Sequence, residues 1–417
     1  MKKLIAKFSS NSVAKSGIIV FAGTMVMNIS AYVYHLLMGR YLGPTGYGEL
    51  SSLFSLLYIL NVPLLVGQTV LVKFVSAYKA KNELGQTKSL LILVTKYFAV
   101  ACIAVLPLVL IFAPVLSGFL HLKSSLLIVL VYIMFIFALL SIAMMSVLQG
   151  LQLFIWSSIL GAGGLVLRVL VSIPMAVWGV VGVMWAAVLA TLLSYATYFY
   201  PLKFLFRIKA KPVEIRLHDA VRFTIPTFIT LLGITSIYST DIMLVRHYFS
   251  ATDAGLYAAL AVLGKIIFYA SSAVTTVLFS VIAERTASGQ NIKKHIYTCI
   301  GIVGLISFTL CLLFFLFPGF IVHALFGNAY TQASGLLGLF GLFLGLFSIG
   351  NSLSLISLAA GKTHVWIFSA IAAVVQIFGI ILYHQSIESI IWLNIWISLF
   401  FAGGSFMYLF RSTHEKI

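Results

Sequence analysis

The sequence predicts an all-α, polytopic membrane protein, and three observations carry that reading. Hydrophobic residues fill 62% of the 417 positions and charged residues only 8%, too little charge to solvate a water-soluble chain of this length. The mean hydropathy is +1.12. The apolar residues also come in long runs, and about 20 of them suffice for a helix to cross a hydrocarbon core of about 30 Å. Twelve such runs can be delimited, at 16–38, 50–75, 90–114, 125–149, 153–174, 179–200, 221–245, 255–281, 296–318, 333–360, 365–384 and 389–410.

The first run follows a basic start, MKKLIAKFSS. It is too long for a signal peptide and has no clear cleavage site, so it reads as a retained first helix. The second opens with Glu49 and contains Pro63 and Gly67. The third carries Lys96 near its charged end, where a long side chain can snorkel to the interface. The fourth is uninterrupted. The fifth and sixth are separated only by Pro174 to Gly179, yet together they are too long for one crossing at ~1.5 Å per residue. The seventh holds Pro226, Gly233 and Asp241, and the eighth holds Lys265. The last four contain no Asp, Glu, Lys or Arg. Proline removes a helix hydrogen bond, so Pro63 with Gly67 and Pro226 with Gly233 are expected to interrupt helices two and seven.

A formal charge of +17 invites a nucleic-acid reading, but the positions of the charges oppose it. Lys and Arg flank the apolar runs rather than lining one soluble face. With twelve spans both termini share a side, and most of the 26 Lys and Arg fall on it. Arg40, Lys123 and Arg246 fall on the opposite side. Short-loop Lys and Arg mark the cytoplasm, so both termini are expected to be cytoplasmic in a cell (plasma) membrane. Cys102, Cys299 and Cys311 all lie within apolar runs, with neither metal-site nor disulfide spacing.

The most basic loop, 201–220, divides the chain into an N-terminal six-helix lobe (1–200) and a C-terminal six-helix lobe (221–417). A short internal echo accompanies this division. GRYLGPTGYGEL (39–50) follows the first helix and RHYFSATDAGLYAAL (246–260) follows the seventh. Aligning Thr45 with Thr252 also aligns Gly48 with Gly255. An even number of helices per half requires a parallel repeat, as in some secondary transporters that expose a central cavity alternately to either side. The glycines around Pro44 lack the strand and the Gly-Lys-Ser/Thr ending of a phosphate loop; turn formation between neighbouring helices explains them.

Charges inside the apolar runs are the informative residues, because a charge at mid-bilayer costs at least a few kcal/mol and turns to the protein interior or to a wet cavity. Arg168 sits in LVLRVLV and Lys265 in AVLGKIIFY, while Asp241 lies in YSTDIML. Together they suggest a cationic chamber for an anionic, lipid-linked substrate. Asp241 would be a charge partner or a coupling group for H⁺ or Na⁺. Snorkelling is the competing explanation for Arg168 and Lys265. Glu49 suits a helix N-terminus, and Arg40 suits a loop at the rim of the outward mouth. Most aromatic residues fit lipid contact or packing; Tyr32, Tyr58, Tyr238, Tyr257 and Tyr269 are candidates for lining a sugar path.

Gly39-Arg40-Tyr41-Leu42-Gly43-Pro44 with Tyr47-Gly48, and Asp241 with the Gly255-Leu256-Tyr257 turn, resemble the Wzx-type oligosaccharide flippases. These are polysaccharide exporters of the multidrug/oligosaccharidyl-lipid/polysaccharide superfamily. The resemblance extends over essentially the whole chain. It implies translocation of polyprenyl-diphosphate-linked oligosaccharide units from the cytoplasmic to the outer leaflet, for cell-surface polysaccharide such as O-antigen or capsule. It also implies Arg40 near the outer gate and a positively lined cavity, which Arg168 and Lys265 fit. Implied partners are the lipid-linked glycan, membrane lipids, a glycan polymerase and glycosyltransferases, with no nucleic acid. The two additional C-terminal helices expected of the peptidoglycan lipid flippases are missing, which argues against that close relation.

No ATP-binding motif, metal site or catalytic set is apparent, so the expectation is a non-enzymatic transporter without a cofactor. Two other readings remain. A drug/cation antiporter of the same superfamily would favour acids in its cavity. A membrane glycan polymerase or ligase would need large outer loops bearing acids or histidines, and His121, His247 and His323 form no motif.

Overall fold

The computed structural model describes residues 2–212, 218–288 and 290–414. Part of the basic 201–220 segment, including Arg216, lies outside the described residues, as does Lys416 at the C-terminus. The described chain is all-α. Its helices are α1 (Lys2–Ala80), α2 (Leu84–Phe119), α3 (Leu126–Gly150), α4 (Phe154–Met175), α5 (Gly179–Thr197), α6 (Phe199–Phe206), α7 (His218–Ile237) and α8 (Thr240–Tyr248). They continue with α9 (Ala251–Ala287), α10 (Lys293–Leu316), α11 (Pro318–Phe326), α12 (Leu337–Ala359), α13 (Trp366–Leu382) and α14 (Ile387–His414). Among the described residues, 10 helical stretches are long and apolar enough to cross a membrane. Two of them, Ala22–Ala80 and Phe154–Phe206, run for 59 and 53 residues. The first is bent at Gly43, whose φ of 66° and ψ of 176° are not helical. The second turns through a short 3-10 segment at Ala176–Trp178 into Gly179, where φ is again 66°. Glycine takes this left-handed conformation without the Cβ clash that other residues pay.

The chain divides into two compact units. One comprises Met1–Tyr41 and Pro63–Leu217, the other Leu42–Val62 and His218–Ile417. In the first unit, α3 packs on α2 and α5, and α4 packs on α5. Its core gathers Val75, Leu90, Val147, Leu148, Leu202 and Leu205 from both ends of the unit's sequence. Lysines that the sequence places in one set of loops fasten the helix ends here. Lys79 Nζ donates to the Leu151 carbonyl at 2.7 Å, and Lys88 Nζ donates to the Phe206 and Ile208 carbonyls at 2.8 Å each. Cations belong at helix C-termini, where the last carbonyls lack intrahelical partners.

In the second unit α12 is the central rod and packs on α9, α10 and α14. Its sequence, LGLFGLFLGLFSIGNSLSLISLA, is apolar or small all round, as a helix surrounded by other helices requires. The hydroxyls of Ser348, Ser352 and Ser357 donate back to carbonyls four residues earlier, so burying them leaves no donor unmet. Ser352 also meets Thr275 of α9 at 2.6 Å.

The two glycines aligned by the internal echo are in contact with each other. A Cβ on Gly48 would come within 2.8 Å of the Gly255 nitrogen, and a Cβ on Gly255 would land on the Pro44 backbone. Small residues at such crossings let helix backbones approach where no hydrophobic force drives association.

Two expectations need correction. Pro63, Gly67, Pro226 and Gly233 do not interrupt their helices, which run through all four. The interruption in the seventh run falls at Tyr238 and Ser239, between α7 and α8. The run Thr235-Ser236-Ile237-Tyr238-Ser239-Thr240 explains the position, because Ser and Thr side chains offer the backbone competing hydrogen bonds. Ser236 and Thr240 join through their hydroxyls at 2.8 Å across the break. Glu49 does not open a helix either: it lies within α1, six residues past the Gly43 bend. It is 1% exposed and interacts electrostatically with Arg246, itself buried in the last turn of α8.

Candidate functional site: a buried polar chain beside a caged ammonium

The break between α7 and α8 places a polar chain inside the second unit. Opening the helix at Tyr238 frees the Ile237 carbonyl, and Gln376 of α13 donates to it through Nε2 at 2.7 Å. The same Nε2 donates to Asn394 Oδ1 of α14 at 2.9 Å. Asn394 Nδ2 donates to the Tyr257 hydroxyl at 3.0 Å, and that hydroxyl donates to Asp241 Oδ2 at 2.7 Å. Asp241 Oδ1 accepts from the Ile242 amide at 2.9 Å. Gln376, Asn394 and Tyr257 are fully buried, and Asp241 is 1% exposed. Four elements thereby fix one carboxylate, which accepts a hydrogen bond at each oxygen. Asp241 also lies in the first turn of α8, where the helix dipole favours negative charge.

Lys265 is the positive counterpart. It is 6% exposed and sits on α9, two turns beyond Tyr257. It and Asp241 attract each other electrostatically without direct ion-pair contact. Its ammonium lies instead over two rings, 5.1 Å from the Tyr58 centroid and 5.2 Å from that of Tyr238. Tyr238 leans on Phe268 and Phe347, with centroids 5.4 and 5.8 Å away. Phe268 continues to Tyr269 at 5.3 Å. Tyr269 is 39% exposed, whereas Tyr257 has no exposed surface and serves as the bridge between Asp241 and Asn394. Among the described residues no cluster of three His, Cys, Asp or Glu side chains is arranged to hold a metal ion.

The structure thus brings Asp241, Lys265, Tyr58, Tyr238, Tyr257 and Tyr269 into one unit. Arg168, Tyr32 and Arg40 belong to the other. There Arg168 is half-buried, with its guanidinium 5.7 Å from the Tyr34 ring centroid. Tyr32 is half-buried, and its hydroxyl has no hydrogen-bond partner among the described residues. Arg40 is exposed, three residues before the Gly43 bend. Lys96 is exposed on α2. Sequence reading missed Asn394 and Gln376. A lone neutral amide in an apolar run has no charge to flag it, although burial there is tolerated only with hydrogen-bond partners.

Residues 13–285 match the model of a family described as polysaccharide biosynthesis protein. No curated protein sequence matches the chain. Among solved structures, the lipid II flippase MurJ in an inward closed conformation superposes with a TM-score of 0.72 at 16% identity, over 95% of this chain and 87% of that one. An inward-facing multidrug resistance MATE family transporter of the MOP superfamily gives 0.66 at 16% identity, over 96% and 99%. A MOP superfamily transporter from Pyrococcus furiosus, characterised by a binding pocket of reversed polarity, gives 0.66 at 14% identity, over 97% of each chain. At these identities the likeness establishes a shared fold.

Proposed function

The chain belongs to the polysaccharide biosynthesis protein family, and we propose that it is a flippase for polyprenyl-diphosphate-linked oligosaccharide, working by alternating access. The observation that carries this reading is Lys265, a buried ammonium that no carboxylate among the described residues neutralises by direct contact. A diphosphate leaving water needs fixed cations, and charge-assisted contacts are the strong ones. Arg168 supplies a second cation in the other unit. The shared fold with the lipid II flippase is consistent with a lipid-linked head group as cargo.

Two helical stretches bear on the count of crossings. At 59 and 53 residues, each exceeds twice the ~20 residues that span a bilayer core. We take each to cross twice, at Gly43 and around Gly179, which gives twelve crossings in two six-helix lobes (1–200 and 221–417) joined by the basic 201–220 segment. An even count keeps both termini on one face, and the lysines and arginines make that face cytoplasmic. Arg40 then belongs to the outer gate. Tyr58, Tyr238 and Tyr269, with Tyr32 in the other unit, are candidates to meet sugar. Asp241 is the candidate group for coupling to H⁺ or Na⁺, and the glycosyltransferases and polymerase of the same pathway are the expected partners.

A cation antiporter would want embedded acids in excess. Here the embedded residues that the sequence singled out are two cations, Lys265 and Arg168, against one acid, Asp241, which argues for an anionic cargo. The test is genetic. Lys265→Ala and Arg168→Ala should each abolish glycan export in a deletion strain, with lipid-linked sugar accumulating on the cytoplasmic side, while membrane abundance stays at wild-type level. Wild-type glycan output from both variants would refute the cationic-site reading.

A further inference from the structure

An ammonium has three N–H donors and ordinarily uses them. Lys265 is 6% exposed; its ammonium lies over two ring faces and is attracted electrostatically by Asp241, and it makes no hydrogen bond to a described residue. Such surroundings suit a cation with no N–H to donate. Aromatic faces within ~6 Å of the charge are the way proteins recognise quaternary ammonium groups. The surrounding groups are braced by their neighbours. Tyr238 is wedged against Phe268 and Phe347, and Asp241 is held by Tyr257 and the Ile242 amide.

We propose that Tyr58, Tyr238 and Asp241 form an aromatic cage of the quaternary-ammonium type, and that Lys265 is its built-in occupant. Because the ammonium is tethered, it competes as an intramolecular ligand, at an effective concentration that a free cation in solution does not reach. Lys265 is therefore a specificity residue by exclusion, keeping organic cations out of a site whose walls would otherwise accept them. The inference stands on this geometry alone and does not depend on which anion the protein carries.

The probe is tetramethylammonium, a compact quaternary cation, measured by equilibrium binding to the purified full-length protein in detergent. Lys265→Ala removes the charge and vacates the space between the rings. It should bind the probe saturably, and at least tenfold more of it than the wild type at the same probe concentration. Lys265→Arg should behave as the wild type. Adding Asp241→Asn to Lys265→Ala should weaken the gain, and adding Tyr238→Ala should weaken it further. Lys265→Gln serves as a second neutral variant, so that poor folding of one does not decide the result. Absence of gained binding in a neutral variant that melts cooperatively would overturn the proposal, as would equal binding by the wild type. A glycan-export failure would touch only the flippase reading, because the binding assay contains no glycan.

Discussion

At the residue scale, the Tyr257 hydroxyl is the joint of the polar chain. It accepts from Asn394 and donates to Asp241. Tyr257→Phe removes that joint without changing the ring, whose edge packs on Phe340 at 5.2 Å. It leaves two buried polar groups each short of a partner, at a cost of about 1–3 kcal/mol per unsatisfied group. Thermal unfolding in detergent should show a lowered midpoint for this variant, whereas an unchanged midpoint would mean the chain contributes nothing to stability. Asp241, Lys265 and Arg168 were legible in the sequence because charge inside an apolar run is rare and expensive. The amides that complete the polar chain behind Asp241 were not. Asn394 and Gln376 are single amides within otherwise apolar helices, and only the freed Ile237 carbonyl and the Tyr257 hydroxyl give them a purpose. Glu49 was expected to open a helix, but it lies within α1, buried and interacting electrostatically with Arg246, which is distant in sequence.

At the scale of elements, helix breaks were harder to read than helix contacts. Proline is the strongest breaker in water, yet Pro226 sits within α7, where its carbonyl accepts from the Thr230 hydroxyl at 2.8 Å. The actual break, at Tyr238 and Ser239, carries neither proline nor glycine. It depends on Gln376 satisfying the carbonyl that the break exposes, since non-helical backbone at membrane depth persists only where protein or water meets its polar groups. Gln376→Leu should therefore loosen the α7–α8 junction. Hydrogen exchange at the amides of residues 236–242 should speed up relative to the wild type, and unchanged protection would remove Gln376 from this role. The sequence aligned Gly48 with Gly255 as an internal echo, and the two glycines are in contact. Gly255→Ala must push its methyl into the Pro44 backbone, which side-chain rearrangement does not relieve. We expect a marked loss of folded protein in the membrane, measured by detergent-extracted monomer on size-exclusion chromatography. Gly67→Ala, where a Cβ meets nothing within 4 Å, should be tolerated.

At the scale of the whole molecule, the all-α membrane class followed from composition and run length, because a hydrocarbon core dictates both. The family likeness in the sequence agrees with the match over 13–285. The division into units is less direct. Residues 42–62 group with the C-terminal part of the chain although they precede the basic segment, and no periodicity or composition shift marks that reassignment. Gly48 and Gly255, side by side, are one place where that stretch meets the C-terminal part.

The most direct test of the central claim is a leaflet-protection assay in proteoliposomes. The purified protein is reconstituted with a fluorescent polyprenyl-diphosphate oligosaccharide, and the fraction reachable by an external sugar-cleaving enzyme is followed over time. Wild-type protein should render nearly the whole pool reachable, and Lys265→Ala should leave the inner half protected, as in protein-free vesicles. Equal protection in wild-type and protein-free vesicles, or wild-type rates from Lys265→Ala, would contradict the account.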